Sequence, residues 1–283
     1  MVNTPLIRAT KLVIFERSSA WSPRGFLGDS RVRFALTLIG VVFITACAED
    51  VRVDTAPAET AYGCHSKAHA GQDFTVCTYD ITNDIRLFHS DPAGQPYLQF
   101  ETLAREMDEQ GKNLVFAMNG GMYHEDRRPV GFYRDTSGDQ ASVNTNDGPG
   151  NFHLKPNGVF WLTPTIAGVT ESQSYLASNP NPTYATQSGP MLVIDGALHP
   201  DFNPDGTSRK RRNGVGVSDD GKTIRFAISD TAVTFHEFAT LFRDVLNTPN
   251  ALFLDGQVSR IYAPEISRNE FGVDMGPIVG VVE

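Results

Sequence analysis

Eight apolar runs of four to six residues limit what this chain can fold into. They are Phe74–Tyr79, Ile85–Phe88, Leu114–Met118, Gly158–Leu162, Met191–Ile194, Thr223–Ile228, Ala251–Leu254 and Ile278–Val282. All are rich in β-branched and aromatic residues, and glycine, proline, asparagine or aspartate stands near their ends, which is how short strands read. Two other segments carry helical spacing instead. Phe100, Leu103, Ala104 and Met107 follow an i, i+3, i+4, i+7 stripe that Gly111 stops. Phe238, Leu241, Phe242 and Val245 repeat it, behind a capping box of Thr234 and Glu237 and ahead of Pro249. Many strands and two helices without regular alternation predict an α+β fold: a strand-rich mixed β-sheet core with a few packed helices, in a single domain. A hydrophobic content of 40 % over 283 residues is enough to fill such a core.

The N-terminal segment stands outside that pattern. Arg31 and Arg33 precede the apolar run Phe34–Phe43, which ends in Ile44-Thr45-Ala46-Cys47. A basic flank, a short apolar stretch and small residues before a cut form an export signal. The run falls short of the roughly 20 apolar residues of a membrane span. Ile-Thr-Ala-Cys resembles the lipobox of bacterial lipoproteins, which implies lipidation of Cys47 and anchoring in the cell envelope, facing the periplasm or the cell surface. Residues 1–47 are thus expected to be a lipoprotein-type signal segment. Residues 48–61 (AEDVRVDTAPAETA) are acidic and lack apolar periodicity, as a flexible tether does. The folded domain is expected over 62–283.

Loss of residues 1–46 removes six Lys/Arg and two Asp/Glu, leaving 18 basic against 31 acidic residues, net −13. Such a surface repels nucleic acid, and an anionic substrate would need a local basic pocket. With Cys47 lipidated, Cys64 and Cys77 remain as a pair, and an oxidising compartment favours a disulfide between them. Closing that loop is worth about 3 kcal/mol in the chain-entropy model. His65 and His69 stand four residues apart, but with Cys64 and Cys77 they make no clean metal-ligand spacing, and no carboxylate cluster signals a catalytic metal; no cofactor motif is present, and protein partners are left unassigned.

Candidate chemistry gathers where buried runs meet polar groups beside glycine. Leu114–Met118 ends in Asn119-Gly120-Gly121, and Ala251–Leu254 ends in Asp255-Gly256. Ser188-Gly189-Pro190 leads into Met191–Ile194, and Arg212-Asn213-Gly214-Val215-Gly216 meets another strand edge. Glycine lets a backbone approach a ligand closely, and strand ends are where sites gather. The plain reading of Asn-Gly and Asp-Gly is a hairpin turn, and it stays open. His124, Glu125 and Asp126, just beyond, read as surface.

In order and spacing these stretches are similar to the phosphodiester glycosidase domain family, related to the uncovering enzyme N-acetylglucosamine-1-phosphodiester α-N-acetylglucosaminidase. The family's marks are Asn-Gly-Gly with a following aromatic, Ser-Gly-Pro, Arg-x-x-x-Gly and Leu-Asp-Gly-Gly-Gly-Ser. They correspond to Asn119–Tyr123, Ser188–Pro190, Arg212–Gly216 and Leu254–Ser259, and the segment 144–158 resembles a bacterial lipoprotein branch. Gln257 and Val258 depart from the pattern by replacing two glycines.

The resemblance implies hydrolysis of a glycosyl phosphodiester at the sugar's anomeric carbon. Asp255 would serve as base or nucleophile, its pKa raised by partial burial. Arg212 would clamp the phosphate. Asn119 with the Gly120 and Gly121 amides would hold phosphate or sugar hydroxyls. Ser188, Gly189, Gly256 and Ser259 would line the substrate site, with His153 and Lys155 as further contacts. Two other readings stay open: a non-catalytic module binding glycans or a partner, and a phosphodiesterase cutting the phosphorus–oxygen bond.

Overall fold

The computed structural model describes residues 62–283. The expected signal segment with Cys47 and the expected tether lie outside the described residues. Among those described, no helix is long and apolar enough to cross a membrane.

The expected strand-rich α+β architecture is present as three sheets in which every pairing is antiparallel. The largest runs, in spatial order, through Gly63–His69, Gln72–Asp80, Thr223–Ser229, Asn213–Val217, Asn250–Asp255, Met191–Ile194 and Ala197–Leu198. A second runs through Arg268–Asn269, Ile261–Ala263, Leu114–Asn119, Ile278–Val282 and Asp84–Phe88. The third holds Gly138–Ala141, Tyr133–Asp135, Tyr184–Ser188, Gly158–Leu162 and Ala167–Glu171. All eight predicted runs fall in strands.

Alternation along each strand decides how the sheets stack. In Asn250–Asp255, Leu252 and Leu254 face one cluster while Ala251 and Phe253 face another, so the strand is covered on both sides and reads as a continuous apolar run. On the Leu252 side, Val215, Phe226 and Ile228 of the large sheet meet Phe116, Met118 and Val279 of the second and Phe160 of the third. On the other side, Phe74 and Phe253 pack on the helix carrying Phe238, Leu241 and Phe242. That helix begins at Phe235 behind the predicted capping box: Thr234 Oγ1 accepts the Glu237 N–H at 3.1 Å and Glu237 accepts the Thr234 N–H at 2.8 Å. It widens into a π turn over Leu241–Val245. The helix Phe100–Glu109 lays Phe100, Leu103 and Met107 on the outer face of the second sheet, against Phe88, Leu114 and Ile278. The resulting order is helix, sheet, sheets, helix.

The first two strands form a hairpin through Ala70 and Gly71, both at positive φ, the geometry of a two-residue primed turn. Across it, Cys64 and Cys77 stand directly opposite and form the expected disulfide.

Candidate active site

The polar strand ends of two different sheets meet at one place. Asn119 closes Leu114–Asn119, and Asn213 opens Asn213–Val217, where it pairs with Asp255 across the sheet. Asn119 Nδ2 donates to Asn213 Oδ1 at 3.2 Å, and Asn213 Nδ2 returns a bond to the Asn119 carbonyl at 2.9 Å. The Arg260 N–H donates to Asn119 Oδ1 at 3.1 Å. Ser259 donates its hydroxyl to the Asp255 carbonyl at 2.7 Å and lies 3.2 Å from Asn213 Oδ1. All four side chains are buried, so each bond forms in a low-dielectric interior where an unpaired partner would be costly.

Asp255 rests on this network and faces outward from it. Its Oδ1 accepts the Gly256 N–H at 2.6 Å and the Gln257 N–H at 2.8 Å. The residue is 7 % exposed. Burial lifts its carboxyl above the ordinary value against the pull of the Gln257, Gly256 and Val258 amides, as the sequence led us to expect. No cation is paired with it among the described residues. A carboxylate held by amides alone, with no neutralising partner, is available for chemistry.

Asp255 lines a cleft of about 1140 Å³. Its walls include Gly256, Gln257, Val258, Met122, Tyr123, His124, Glu125, Arg127, Val130, Asn151, Lys210 and Val273. Tyr123 donates its hydroxyl to the Asp274 carbonyl at 3.0 Å; burial, and then the charge of Asp255, push its pKa up and keep it a phenol. Arg127 sits over the Tyr123 ring, 5.4 Å from its centre. Gln257 projects, exposed, from the turn where the family pattern has glycine.

The stretch after Asn119 behaves differently from either sequence reading. Asn119-Gly120 is not the tip of a hairpin: the Gly120 N–H is taken by the Pro277 carbonyl at 2.7 Å, and a Cβ on Gly120 would lie 2.9 Å from the Val279 nitrogen. The glycine admits the neighbouring backbone. Gly121 is likewise packed, with Thr186 Oγ1 2.8 Å from where a Cβ would stand. The chain turns later, at His124–Arg127, closed by Arg127 N–H to His124 carbonyl at 2.8 Å. That turn places His124, Glu125 and Arg127 on the cleft wall; only Asp126 of the residues read as surface is absent from it.

The other candidates sort into supports. Arg212 is 1 % exposed and donates to the Val233 carbonyl at 3.0 Å and the Ser208 carbonyl at 3.1 Å, with its guanidinium carbon 3.6 Å from the centre of the Phe235 ring. Desolvation brings its pKa down to about 10. It ties the 208–212 segment to the sheet and is not among the cleft-lining residues. Ser188 is fully buried and donates to the Leu254 carbonyl at 3.0 Å, one residue behind Asp255. Gly189 packs against Asn157 and the Phe152 carbonyl. His153 meets the Asn146 carbonyl at 3.0 Å, and Lys155 bonds the Thr145 carbonyl and pairs with Asp147. Those two knit the loop that presents Asn151 to the cleft.

Residues 209–212 form a basic run, Arg-Lys-Arg-Arg, within which Arg209 pairs with Glu237 and Arg211 with Glu270. Lys210 has no ion pair among the described residues and lines the cleft; the same holds for Arg127. These two cations and Asn213 escaped the sequence reading. Asn213 carries the same signal as Asn119, an amide at the end of an apolar strand. Lys210 had none, since its freedom depends on partners that its neighbours find far away in sequence. Among the described residues no group of three or more His, Cys, Asp or Glu side chains is placed to hold a metal ion.

The sequence profile of the phosphodiester glycosidase family matches residues 112–271, which span Asn119, Asn213, Asp255 and Arg260. The chain belongs to the phosphodiester glycosidase family. An uncharacterised Escherichia coli K-12 protein, YigE, is 32 % identical over 191 residues, covering 66 % of this chain and 74 % of YigE. The catalytic domain of zebrafish N-acetylglucosamine-1-phosphodiester α-N-acetylglucosaminidase, in a form auto-inhibited by its pro-peptide, shares the fold. Its TM-score is 0.53 at 13 % identity, over 77 % of this chain and 81 % of that one. Membership makes this phosphodiester glycosidase-family chain a hydrolase by kinship, and the network beneath Asp255 shows how its motif residues combine: most build the floor, and one carboxylate rises from it.

Proposed function

We propose that the protein cleaves a sugar-1-phosphodiester at the anomeric carbon, giving free sugar and a phosphomonoester. The observation that carries this reading is Asp255: a buried carboxylate at the floor of a large cleft, held by backbone amides and paired with no cation among the described residues. In this reading water attacks the anomeric carbon while Asp255 takes its proton, and the carbon–oxygen bond to phosphate breaks with the electron pair leaving on the phosphate. Asp255 can alternatively attack the carbon itself and form a glycosyl-enzyme that water then opens. A single displacement inverts the anomeric configuration and a double one retains it, so the product distinguishes the two. Phosphate departs without a strong general acid, and the developing dianion is met by Lys210 and Arg127.

The test is hydrolysis of N-acetylglucosaminyl and other glycosyl phosphodiesters in ¹⁸O water. Label in the sugar supports cleavage at carbon; label in the phosphate replaces it with phosphorus–oxygen cleavage. No turnover across the panel, together with binding of the intact diester, would favour a non-catalytic glycan-binding module, a reading supported by Gln257 and Val258 occupying the turn beside Asp255.

Export and lipid anchoring belong to the same proposal, supported by the apolar run 34–43 and the Ile-Thr-Ala-Cys47 sequence. Fatty-acid labelling that persists in a Cys47→Ser variant would remove the anchor from it.

A further inference from the structure

The loop from Phe271 to Met275 meets the cleft at Val273 and combines a fixed backbone with exposed apolar side chains. Gln99 donates to the Gly272 carbonyl at 3.1 Å and to Asp274 at 2.8 Å, the Arg260 guanidinium donates to the Val273 carbonyl, and Tyr123 donates to the Asp274 carbonyl. The Met275 N–H bonds the Leu98 carbonyl at 2.9 Å. A backbone pinned at each of these positions is ordered before any ligand arrives. Phe271 is nevertheless 71 % exposed and Val273 63 % exposed. Single exposed apolar residues are ordinary. Here two of the five large ones among the described residues stand two positions apart on one anchored loop, and Val273 lines the cleft that Val258, Met122 and Val130 also line.

The cleft lining therefore combines unlike groups around Asp255. It holds the cations Lys210 and Arg127, which have no ion pair among the described residues, and the apolar side chains of Val258 and Val273, with Phe271 exposed two positions beyond Val273. A cleft of about 1140 Å³ is larger than one sugar ring needs, which leaves room for what lies beyond the phosphate. We propose that the aglycone of the substrate is a hydrocarbon chain: the site takes an amphiphilic glycosyl phosphodiester, with its phosphate against Lys210 and Arg127 and its apolar tail along Val258, Val273 and Phe271. This inference rests on the proposed reaction for the site, but its binding claim can be tested separately.

The probes are the methyl, decyl and glucosyl diesters of N-acetylglucosamine 1-phosphate, used below the micellar concentration of the decyl compound. Each methylene fully withdrawn from water is worth roughly a fourfold factor, so even partial seating of the chain favours decyl over methyl by about tenfold or more in kcat/KM. The gain should appear in KM, and Phe271→Ser with Val273→Ser should bring the decyl-to-methyl ratio to within about twofold. Phe271→Ser alone, at the more exposed position, should lower the ratio part-way.

Calorimetric binding of the same probes to the Asp255→Asn protein gives a readout without turnover. Decyl preference there, lost when both serine substitutions are present, supports the assignment even if none of the diesters is hydrolysed, in which case only the proposed reaction falls. Equal affinity for decyl and methyl, stronger binding of the glucosyl diester, or a decyl preference that survives both substitutions overturns it.

Discussion

Replacement of Asn119 by alanine tests whether the two strand ends are held together as described. The side chain is fully buried, and truncation has two separable effects. The Arg260 N–H loses its acceptor at 3.1 Å and is left buried and unpaired, which costs about 1–3 kcal/mol. The Nδ2 bond to Asn213 Oδ1 is also lost, worth about 1 kcal/mol, although Ser259 stays 3.2 Å from that oxygen. The sum is about 3 kcal/mol, read as a shift in the urea midpoint at unchanged slope.

Asn119→Asp gives the sharper measurement. One carboxylate oxygen still accepts from Arg260, while the other points at Asn213 Oδ1 where a donor used to be. Burial raises the folded pKa of such a group, so its ionisation opposes folding. Stability is then fully present below the unfolded value of about 3.9, where the acid can donate to Asn213, and is lost as pH rises through the folded value. Alanine should be pH-indifferent over the same range. An alanine variant within about 0.5 kcal/mol of the parent, or an aspartate variant that does not recover on acidification, would refute the network as drawn.

Three further expectations follow from the same geometry. Asp255→Asn should reduce turnover by about 10²–10⁴-fold. The raised pKa of Asp255 means that its ionisation costs stability as pH rises above 3.8, so the variant should be more stable than the parent at neutral pH and lose that advantage in acid. Lys210→Ala and Arg127→Ala should each lower kcat/KM by about five- to tenfold with little change in melting temperature, an effect that added salt diminishes. Arg212→Ala should do the opposite: the Ser208 carbonyl loses its Arg212 donor, the Val233 carbonyl keeps only the Lys210 N–H, the Phe235 ring loses its cation, and stability falls by about 2 kcal/mol, as calorimetry would measure.

Local chemistry explains what could be read in advance. The strands announce themselves because both faces of Asn250–Asp255 and its neighbours are covered, which forces unbroken apolar runs. The capping box of Thr234 and Glu237 is a three-residue matter and was legible for that reason. Edge strands such as Gly138–Ala141 carry no such signal, being polar and half in water. The helix Ser172–Ser178 escaped because its start is capped by the Glu171 side chain, outside the Ser/Thr/Asp/Asn signature.

Of the two charged candidates, Asp255 lines the cleft, whereas Arg212 is buried and is not among the cleft-lining residues. A cation within a basic run of an acidic chain looks like an anion clamp, whereas its true companions, Phe235 and the Val233 carbonyl, come from the far side of a hairpin. The pairing of Arg209 and Arg211 with Glu237 and Glu270 is equally non-local, and Lys210 between them has no ion pair among the described residues.

The strand Ile278–Val282 lies between Leu114–Asn119 and Asp84–Phe88, and Ile278 stands opposite Asn119 itself. A segment made long after its two neighbours therefore fills the middle of their sheet. Until it arrives, both earlier strands present open edges, and the glycine that follows Asn119 has no backbone to lie against. A piece of this domain that stops before Ile278 therefore leaves the middle of that sheet empty and Asn119 without the strand it pairs with.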